Sequence, residues 1–281
     1  MGNSASSKDS LTSEMIQKRY KNYQIEQSMS INNESFNYID PNAFKSTRLL
    51  QNLDLSKNCI KSIHGMSFAY LDFLKVLNLS HNQLTTIYFD IFIQQVVLQE
   101  LDMSSNQIKE IEPKAFDKTL CLETLKLNKN QLKSFSSDKV FKSLINLKHL
   151  DLSENEFASI DSRLLAKQSK LSHFSAAQNM LTSIDSKLFS STKSLVDINL
   201  SQNQIKSIDS SSLKQLNCLE TLILNNNQLN SIDARLFRDL VNLKHLDLSF
   251  NQIELNANQS DLFVQNKLLT HLNMSNNKIS A

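Results

Sequence analysis

The chain has very little of the residues on which many enzyme motifs depend. Its 281 residues include two glycines, two prolines and no tryptophan, whereas average usage of about 7% glycine and about 5% proline would give roughly twenty and fourteen. Phosphate-binding loops, dinucleotide fingerprints and nucleophile elbows need glycine for tight turns and close backbone approach. The composition therefore argues against those enzyme classes.

Cysteine, net charge and long apolar runs are scarce as well. Cys59, Cys121 and Cys218 are too few and too dispersed for a disulfide framework or a zinc site, which favours a reducing, cytosolic compartment. The formal net charge is only +2, so nucleic acid, which needs clustered lysine and arginine, is not expected as a partner. No stretch approaches the ~20 apolar residues of a membrane span, and residues 1–24 lack the apolar run of a secretory signal.

What the chain does contain is one motif, repeated in phase. The segment LQNLDLSKNCI at residues 50–60 recurs nine more times in the pattern L-x-x-L-x-L-x-x-N-x-L. A degenerate first copy, EQSMSINNESF, has Glu34 in the asparagine column. The spacing is 24 residues, except for one step of 25 and a last step of 26. The motif asparagines are Asn58, Asn82, Asn106, Asn130, Asn155, Asn179, Asn203, Asn227, Asn251 and Asn277.

This pattern resembles the leucine-rich repeat family in its typical 24-residue class. Leucines at alternate positions predict a short strand with one apolar face, and only stacked units can bury that face in a shared core. We therefore predict an α/β repeat solenoid of about 11 repeats over residues 25–281, the first degenerate and the last uncapped. The resemblance implies a horseshoe with a parallel concave β-sheet, an irregular or short-helical convex side, and motif asparagines that hydrogen-bond the backbone as a ladder.

A file of phenylalanines follows the same register, ten to twelve residues after the asparagine column. In register these rings predict core packing on the convex side, and no cofactor is expected. They are Phe44, Phe68, Phe92, Phe116, Phe141, Phe189, Phe237 and Phe263.

The N-terminus carries a possible lipidation signal. MGNSASSK matches M-G-x-x-x-[ST], with Ser6 in the required place, so we predict N-myristoylation of Gly2. An ordinary flexible start is the alternative. One acyl chain binds membranes only marginally, so a second signal is needed for a stable anchor.

The rest of the N-terminal arm, residues 1–24, suggests a helix. Leu11, Met15, Ile16, Tyr20 and Tyr23 recur at helical spacing beside three basic residues, Lys18, Arg19 and Lys21. This amphipathic helix could assist the acyl chain at an anionic leaflet. It could also cap the open leucine core of the first repeat, as solenoids require. The two roles can coexist.

The variable strand positions predict a partner-binding concave face. Two histidine pairs share a column in adjacent repeats and should lie ~5 Å apart, but two ligands do not make a closed metal site, so no metal is predicted. Ile223 and Phe250 are apolar exceptions in polar columns and are candidate hot spots. The full set of candidate contact residues is His149, Asp151, His173, Asp197, Ile223, His245, Asp247, Phe250 and His271.

These features favour a non-catalytic, membrane-tethered intracellular scaffold or regulator in signalling that binds a protein on its concave face. The alternative is an extracellular recognition or adhesion module of the innate-immunity type, because the 24-residue class is common there. No Ser, His and Asp set stands apart from the repeat consensus, so no catalytic residue is predicted. The sequence ends shortly after Ile279, in mid-repeat, which predicts possible self-association through an uncapped edge.

Overall fold

The chain forms two compact units, each built from one kind of repeat. In the computed structural model, which describes residues 9–255 and 262–279, the first unit ends at Leu144 and the second begins at Ile145. Each repeat contributes a three-residue strand, a turn around the motif asparagine and a return segment made mostly of turns. The predicted solenoid of stacked repeats with parallel strands is confirmed.

The described part of the first unit contains a five-stranded parallel sheet. Its elements are β1 (Ser10–Leu11), α1 (Ser13–Arg19), β2 (Ser28–Ser30), β3 (Tyr38–Ile39), β4 (Asn52–Asp54), β5 (Val76–Asn78), β6 (Thr86–Ile87), β7 (Glu100–Asp102), β8 (Glu110–Ile111) and β9 (Thr124–Lys126). The sheet runs β2-β4-β5-β7-β9. Two short parallel pairs, β1 with β3 and β6 with β8, lie outside it.

The described part of the second unit has the same plan with six strands in its main sheet. Its elements are β10 (His149–Asp151), β11 (His173–Ser175), β12 (Ser183–Ile184), β13 (Asp197–Asn199), β14 (Ser207–Ile208), β15 (Thr221–Ile223), a 3₁₀ helix (Ala234–Phe237), β16 (His245–Asp247) and β17 (His271–Asn273). The sheet runs β10-β11-β13-β15-β16-β17. A short pair, β12 with β14, follows the asparagine turns.

Burial follows the predicted alternation. In each main-sheet strand from β2 to β16 the central side chain is buried, and its two neighbours lie on the other face, exposed or half-buried. The phenylalanine file packs behind the leucines, with ring centroids of Phe44 and Phe68 separated by 6.3 Å and those of Phe68 and Phe92 by 6.4 Å. Seven of these rings are almost fully buried, so they are core residues rather than a cofactor site.

The motif asparagines form the expected ladder. Asn203 illustrates it: its Oδ1 accepts the Leu181 N–H at 3.0 Å, and its Nδ2 lies 2.9 Å from the Ala176 carbonyl oxygen in the preceding repeat. The same Nδ2 also approaches the Leu200 and Ser201 carbonyl oxygens, both at 3.1 Å. Each such side chain ties one turn to the turn before it, which is a structural role.

The N-terminal arm differs from the predicted pattern at its start. The helical spacing began at Leu11, but Leu11 belongs to β1, which pairs with β3, and α1 covers only Ser13–Arg19. Thr12 provides the reason, because its backbone is extended and its hydroxyl accepts the Met15 N–H as an N-cap. Leu11 and Ile16 are both buried, although they lie in different elements. Their apolar spacing therefore runs across the boundary between β1 and α1 and resembles the spacing of a single helix.

Candidate binding surface

The N-terminal arm packs on the first repeat. Ile16 is 1% exposed, and the Tyr20 hydroxyl donates to the Ser30 carbonyl oxygen at 2.7 Å while accepting the Ser30 N–H at 3.1 Å. Tyr20 thereby occupies backbone groups of β2 that a neighbouring strand would otherwise use. Arg19 pairs with Glu34, which raises the pKa of Arg19 chiefly through this side-chain hydrogen bond. Gly2, the predicted lipidation site, lies outside the described residues.

The four candidate histidines lie in two stacked pairs on the second unit. His149 is in register with His173, and His245 is in register with His271. The imidazole centroids are 4.4 Å apart in the first pair and 4.5 Å in the second, with the ring planes within 25° of each other. All four rings are exposed, and strands β13 and β15 separate the two pairs.

Asp151 and Asp247 have a structural role that the sequence interpretation missed. Asp151 Oδ1 accepts the Ser153 N–H and Asp247 Oδ1 accepts the Ser249 N–H, both at 2.9 Å. Five other repeats use the same hydrogen bond, between an Asp or Asn on the strand and the residue two positions later. The recurrent Asp/Asn-x-Ser pattern carried this signal. One oxygen of each aspartate therefore serves the turn, whatever the other oxygen binds.

Ile223 breaks this turn pattern in the second unit. It stands where seven other repeats have the capping Asp or Asn, and Asn225 replaces the serine. The side-chain Oδ1 of Asn225 is buried with no hydrogen-bond partner, as is that of Asn128 in the repeat that carries Lys126. A repeat that gives up its cap and leaves a buried oxygen unpaired loses stability. The half-buried Ile223 side chain therefore lies on the concave face where other repeats have a residue that stabilises the turn.

Phe250 is a second costly exception. It belongs to the column just before the motif asparagine, where ten residues have φ between 53° and 56°. The other nine are Lys57, His81, Ser105, Lys129, Glu154, Gln178, Gln202, Asn226 and Asn276. A bulky aromatic side chain is strained in this left-handed region. Phe250 is nevertheless 53% exposed, so core packing does not explain its presence.

Asp197 lies on β13, next to the first histidine pair and between the two pairs in the sheet. It is in register with His173 on one side and Thr221 on the other. Burial raises its pKa above the ordinary 3.8, and the attraction of His173 opposes that rise only in part. Close by, Lys244 Nζ lies 2.8 Å from Glu220 Oε2, so those two charges largely neutralise each other.

The first unit carries a depression on its sheet that the sequence interpretation did not identify. It encloses about 180 Å³ and is lined by residues of β5, β7 and β9, including Val76, Glu100 and Thr124. Lys126 Nζ lies 3.5 Å from Asp102 Oδ2 at this site. Both side chains are variable concave positions, so their register alone could have pointed to the pair.

Neither a cluster of three or more metal-ligating side chains nor a membrane-spanning helix occurs among the described residues. Within 9–255 and 262–279, no group of three or more histidine, cysteine, aspartate or glutamate side chains is placed to hold a metal ion. In the same ranges, no helix is both long enough and apolar enough to cross a membrane. Cys59 and Cys121 are half-buried, Cys218 is exposed, and all three are free thiols.

Sequence profiles of known families match nearly the whole solenoid. A leucine rich repeat profile matches residues 27–84, a BspA type leucine rich repeat region of six copies matches 85–212 and 134–270, and a further leucine rich repeat profile matches 265–281. The chain belongs to the leucine-rich repeat family. No curated protein matches the sequence significantly.

Solved leucine-rich repeat structures share the fold at low sequence identity. The crystal structure of the TLR13–ssRNA13 complex matches with 25% identity and a TM-score of 0.77, over 91% of this chain and 40% of that chain. The octameric complex of Latrophilin 3, Unc5D and FLRT2 matches with 22% identity and a TM-score of 0.76, over 91% and 76%. The leucine-rich repeat domain of APL1B matches with 22% identity and a TM-score of 0.75, over 96% and 74%. The chain therefore spans less than half of the TLR13 chain.

Proposed function

We propose that this leucine-rich repeat chain is a non-catalytic protein-binding module whose partner docks on the concave face of the second unit. The observation that carries the proposal is the pair of exceptions at Ile223 and Phe250. Ile223 stands where seven other repeats have a capping Asp or Asn, and Phe250 places an aromatic ring in a left-handed column whose other nine residues are polar. Local rules are typically broken at functional sites, where another requirement outweighs stability.

A consensus variant separates binding from folding. Ile223→Asp combined with Asn225→Ser restores the turn that seven other repeats use, so its free energy of unfolding should not fall. The same variant should lose the proteins that the wild-type chain captures from cell extract, measured by quantitative mass spectrometry. The matched control is Lys126→Asp with Asn128→Ser, which restores the same turn in the first unit. Capture that persists in the first variant and disappears in the control would contradict the proposal.

We further propose that the chain works at the cytosolic face of a membrane, tethered by an acyl group on Gly2. The motif MGNSASSK and the basic arm support this placement. Because Ile16 packs on the first repeat and Arg19 pairs with Glu34, the arm would assist through its exposed Lys18 and Lys21 rather than by inserting an apolar face. Each such charge near an anionic surface contributes about 1 kcal/mol.

The tether is tested by comparing wild type with Gly2→Ala. Expression with an N-myristoyltransferase should add about 210 Da to the wild-type chain and nothing to the variant. Proximity labelling in cells should then mark membrane proteins near the wild-type chain and soluble proteins near Gly2→Ala. An unmodified Gly2, or equal labelling patterns, would overturn the tether and leave the concave-face proposal untouched.

An extracellular recognition module is the second candidate. The likeness to TLR13, which is solved in complex with ssRNA13, is the observation that favours it. It also makes RNA a competing ligand, although the near-zero net charge of this chain favours a protein. Nuclease treatment of the extract before capture distinguishes the two partners. Glycan attachment to the chain expressed with a secretion signal would favour the extracellular assignment.

A further inference from the structure

The two histidine pairs belong to a duplicated block of sequence. CLETL at residues 121–125 recurs at 218–222, and NLKHLDLS at 146–153 recurs without change at 242–249. His149 and His245 are the histidines of those identical octapeptides. His173 and His271 follow one repeat later in each copy. The pairing of imidazoles on neighbouring strands is therefore present in both copies, although many surrounding residues differ.

The contacts around the second histidine of each pair are also the same. Ser172 Oγ lies 2.9 Å from His173 Nδ1 and 3.0 Å from the Lys148 carbonyl oxygen. In the other copy, Thr270 Oγ1 lies 2.9 Å from His271 Nδ1 and 3.1 Å from the Lys244 carbonyl oxygen. The residue before the histidine differs between the copies, yet it retains a hydroxyl group.

This hydroxyl selects the tautomer of the imidazole. A hydroxyl group has one proton, which here is donated to the lysine carbonyl oxygen, so its contact with Nδ1 is as an acceptor. Nδ1 must then carry the imidazole proton, and Nε2 keeps its lone pair. Histidines that bind metals are oriented in this way, with the second ring nitrogen donating to a nearby oxygen.

We propose that each pair, His149 with His173 and His245 with His271, is a binding site for one divalent transition-metal ion of the class that prefers imidazole, such as Zn²⁺. The rings are stacked 4.4 and 4.5 Å apart and exposed. Two Nε2 atoms that bind one tetrahedral ion with bonds of about 2.0–2.1 Å lie ~3.4 Å apart, so the stacked rings must rotate toward each other when the ion binds. Two ligands leave open coordination positions, which water or a side chain of a bound partner fills.

The sites are tested by titrating the full-length chain with Zn²⁺ in a calorimeter at pH 7.5. Wild type should bind two ions, His173→Ala and His271→Ala should each bind one, and the double variant should bind none. The matched control is His81→Asn, which removes a histidine without a histidine neighbour at a left-handed position that asparagine tolerates, and it should retain two. All four paired rings are exposed, so these changes should leave the circular dichroism spectrum unchanged.

The orienting hydroxyls provide a second readout. Ser172→Ala and Thr270→Val should each weaken Zn²⁺ binding at one site by 10–100-fold without changing the stoichiometry at saturation, as loss of an orienting partner does in other metal sites. Histidine NMR signals of the wild type should shift on Zn²⁺ addition at the four paired residues. No binding by the wild type, or binding that the double histidine variant retains, would overturn the proposal. Either result leaves the proposed protein-binding function standing.

Discussion

At the scale of single residues, the motif asparagine joins each repeat to the one before it through hydrogen bonds to the backbone. Asn203 is 8% exposed and contacts four backbone groups in two repeats. Asn203→Ala leaves a buried N–H and buried carbonyl oxygens without partners, which should lower the free energy of unfolding by about 3 kcal/mol. Urea unfolding measures this loss. Asn217→Ala removes an exposed asparagine of the same unit and should change stability by less than about 0.5 kcal/mol.

The strain at Phe250 predicts a change in the opposite direction. Phe250→Asn places a residue that tolerates left-handed backbone at φ 53°, so it should raise the free energy of unfolding by about 1 kcal/mol. The same change should weaken partner capture. Gln202→Asn, in the same column, is the comparison and should leave capture intact. A Phe250→Asn chain that is less stable than wild type would show that the ring contributes to folding.

The raised pKa of Asp197 predicts a pH dependence of stability. Because burial lifts its folded-state pKa above the ordinary 3.8, the folded chain holds this proton more tightly than the unfolded chain. Its contribution to stability is therefore greatest below pH 3.8 and is lost as pH rises through the folded pKa. Asp197→Asn should abolish that loss, so the variant should gain stability relative to wild type between pH 3 and pH 7. Denaturant unfolding at both pH values checks this, and a constant difference would contradict it.

At the scale of elements, the strands and the asparagine ladder could be predicted because each feature recurs in ten copies. The Asp/Asn-x-Ser turn also recurs in the sequence. We interpreted its aspartates only as residues of the binding face, although they also stabilise the turn. The start of α1 was misplaced because Leu11 and Ile16 share an apolar spacing across two elements, whereas the Thr12 cap marked the true boundary. The hydroxyl contacts of His173 and His271 depend on side-chain rotamers, which periodicity does not specify.

The cap of the first repeat gives a prediction at this scale. Tyr20→Phe removes the hydroxyl that binds both backbone groups of Ser30, at a cost of about 0.5–1.5 kcal/mol per hydrogen bond. Amide exchange of Ser30 should accelerate, while exchange in β16 should be unchanged because that strand belongs to the other unit. Tyr23→Phe is the control, since the Tyr23 hydroxyl only accepts from the neighbouring Gln24 side chain among its described contacts. Unchanged Ser30 exchange would show that Tyr20 does not protect β2.

At the scale of the whole molecule, the predicted solenoid of about 11 repeats is confirmed, and its repeats fall into two compact units. Their boundary, between Leu144 and Ile145, lies inside the one repeat of 25 residues, between Asn130 and Asn155. The sequence shows this 25-residue step, but no glycine, proline or polar linker near it indicates a boundary between two units. All nine candidate contact residues fall in the second unit. The unit therefore contains the whole of the proposed binding face.

Covalent footprinting of a captured complex tests this central claim most directly. Side chains are oxidised or acylated in the free and bound chain, and the modified residues are identified by mass spectrometry. The proposal predicts that Phe250, His245 and His271 become protected, whereas the exposed Phe73 and Phe89 of the first unit react equally in both states. Protection of Phe73 and Phe89 with unchanged reactivity at Phe250 and the histidines would contradict it.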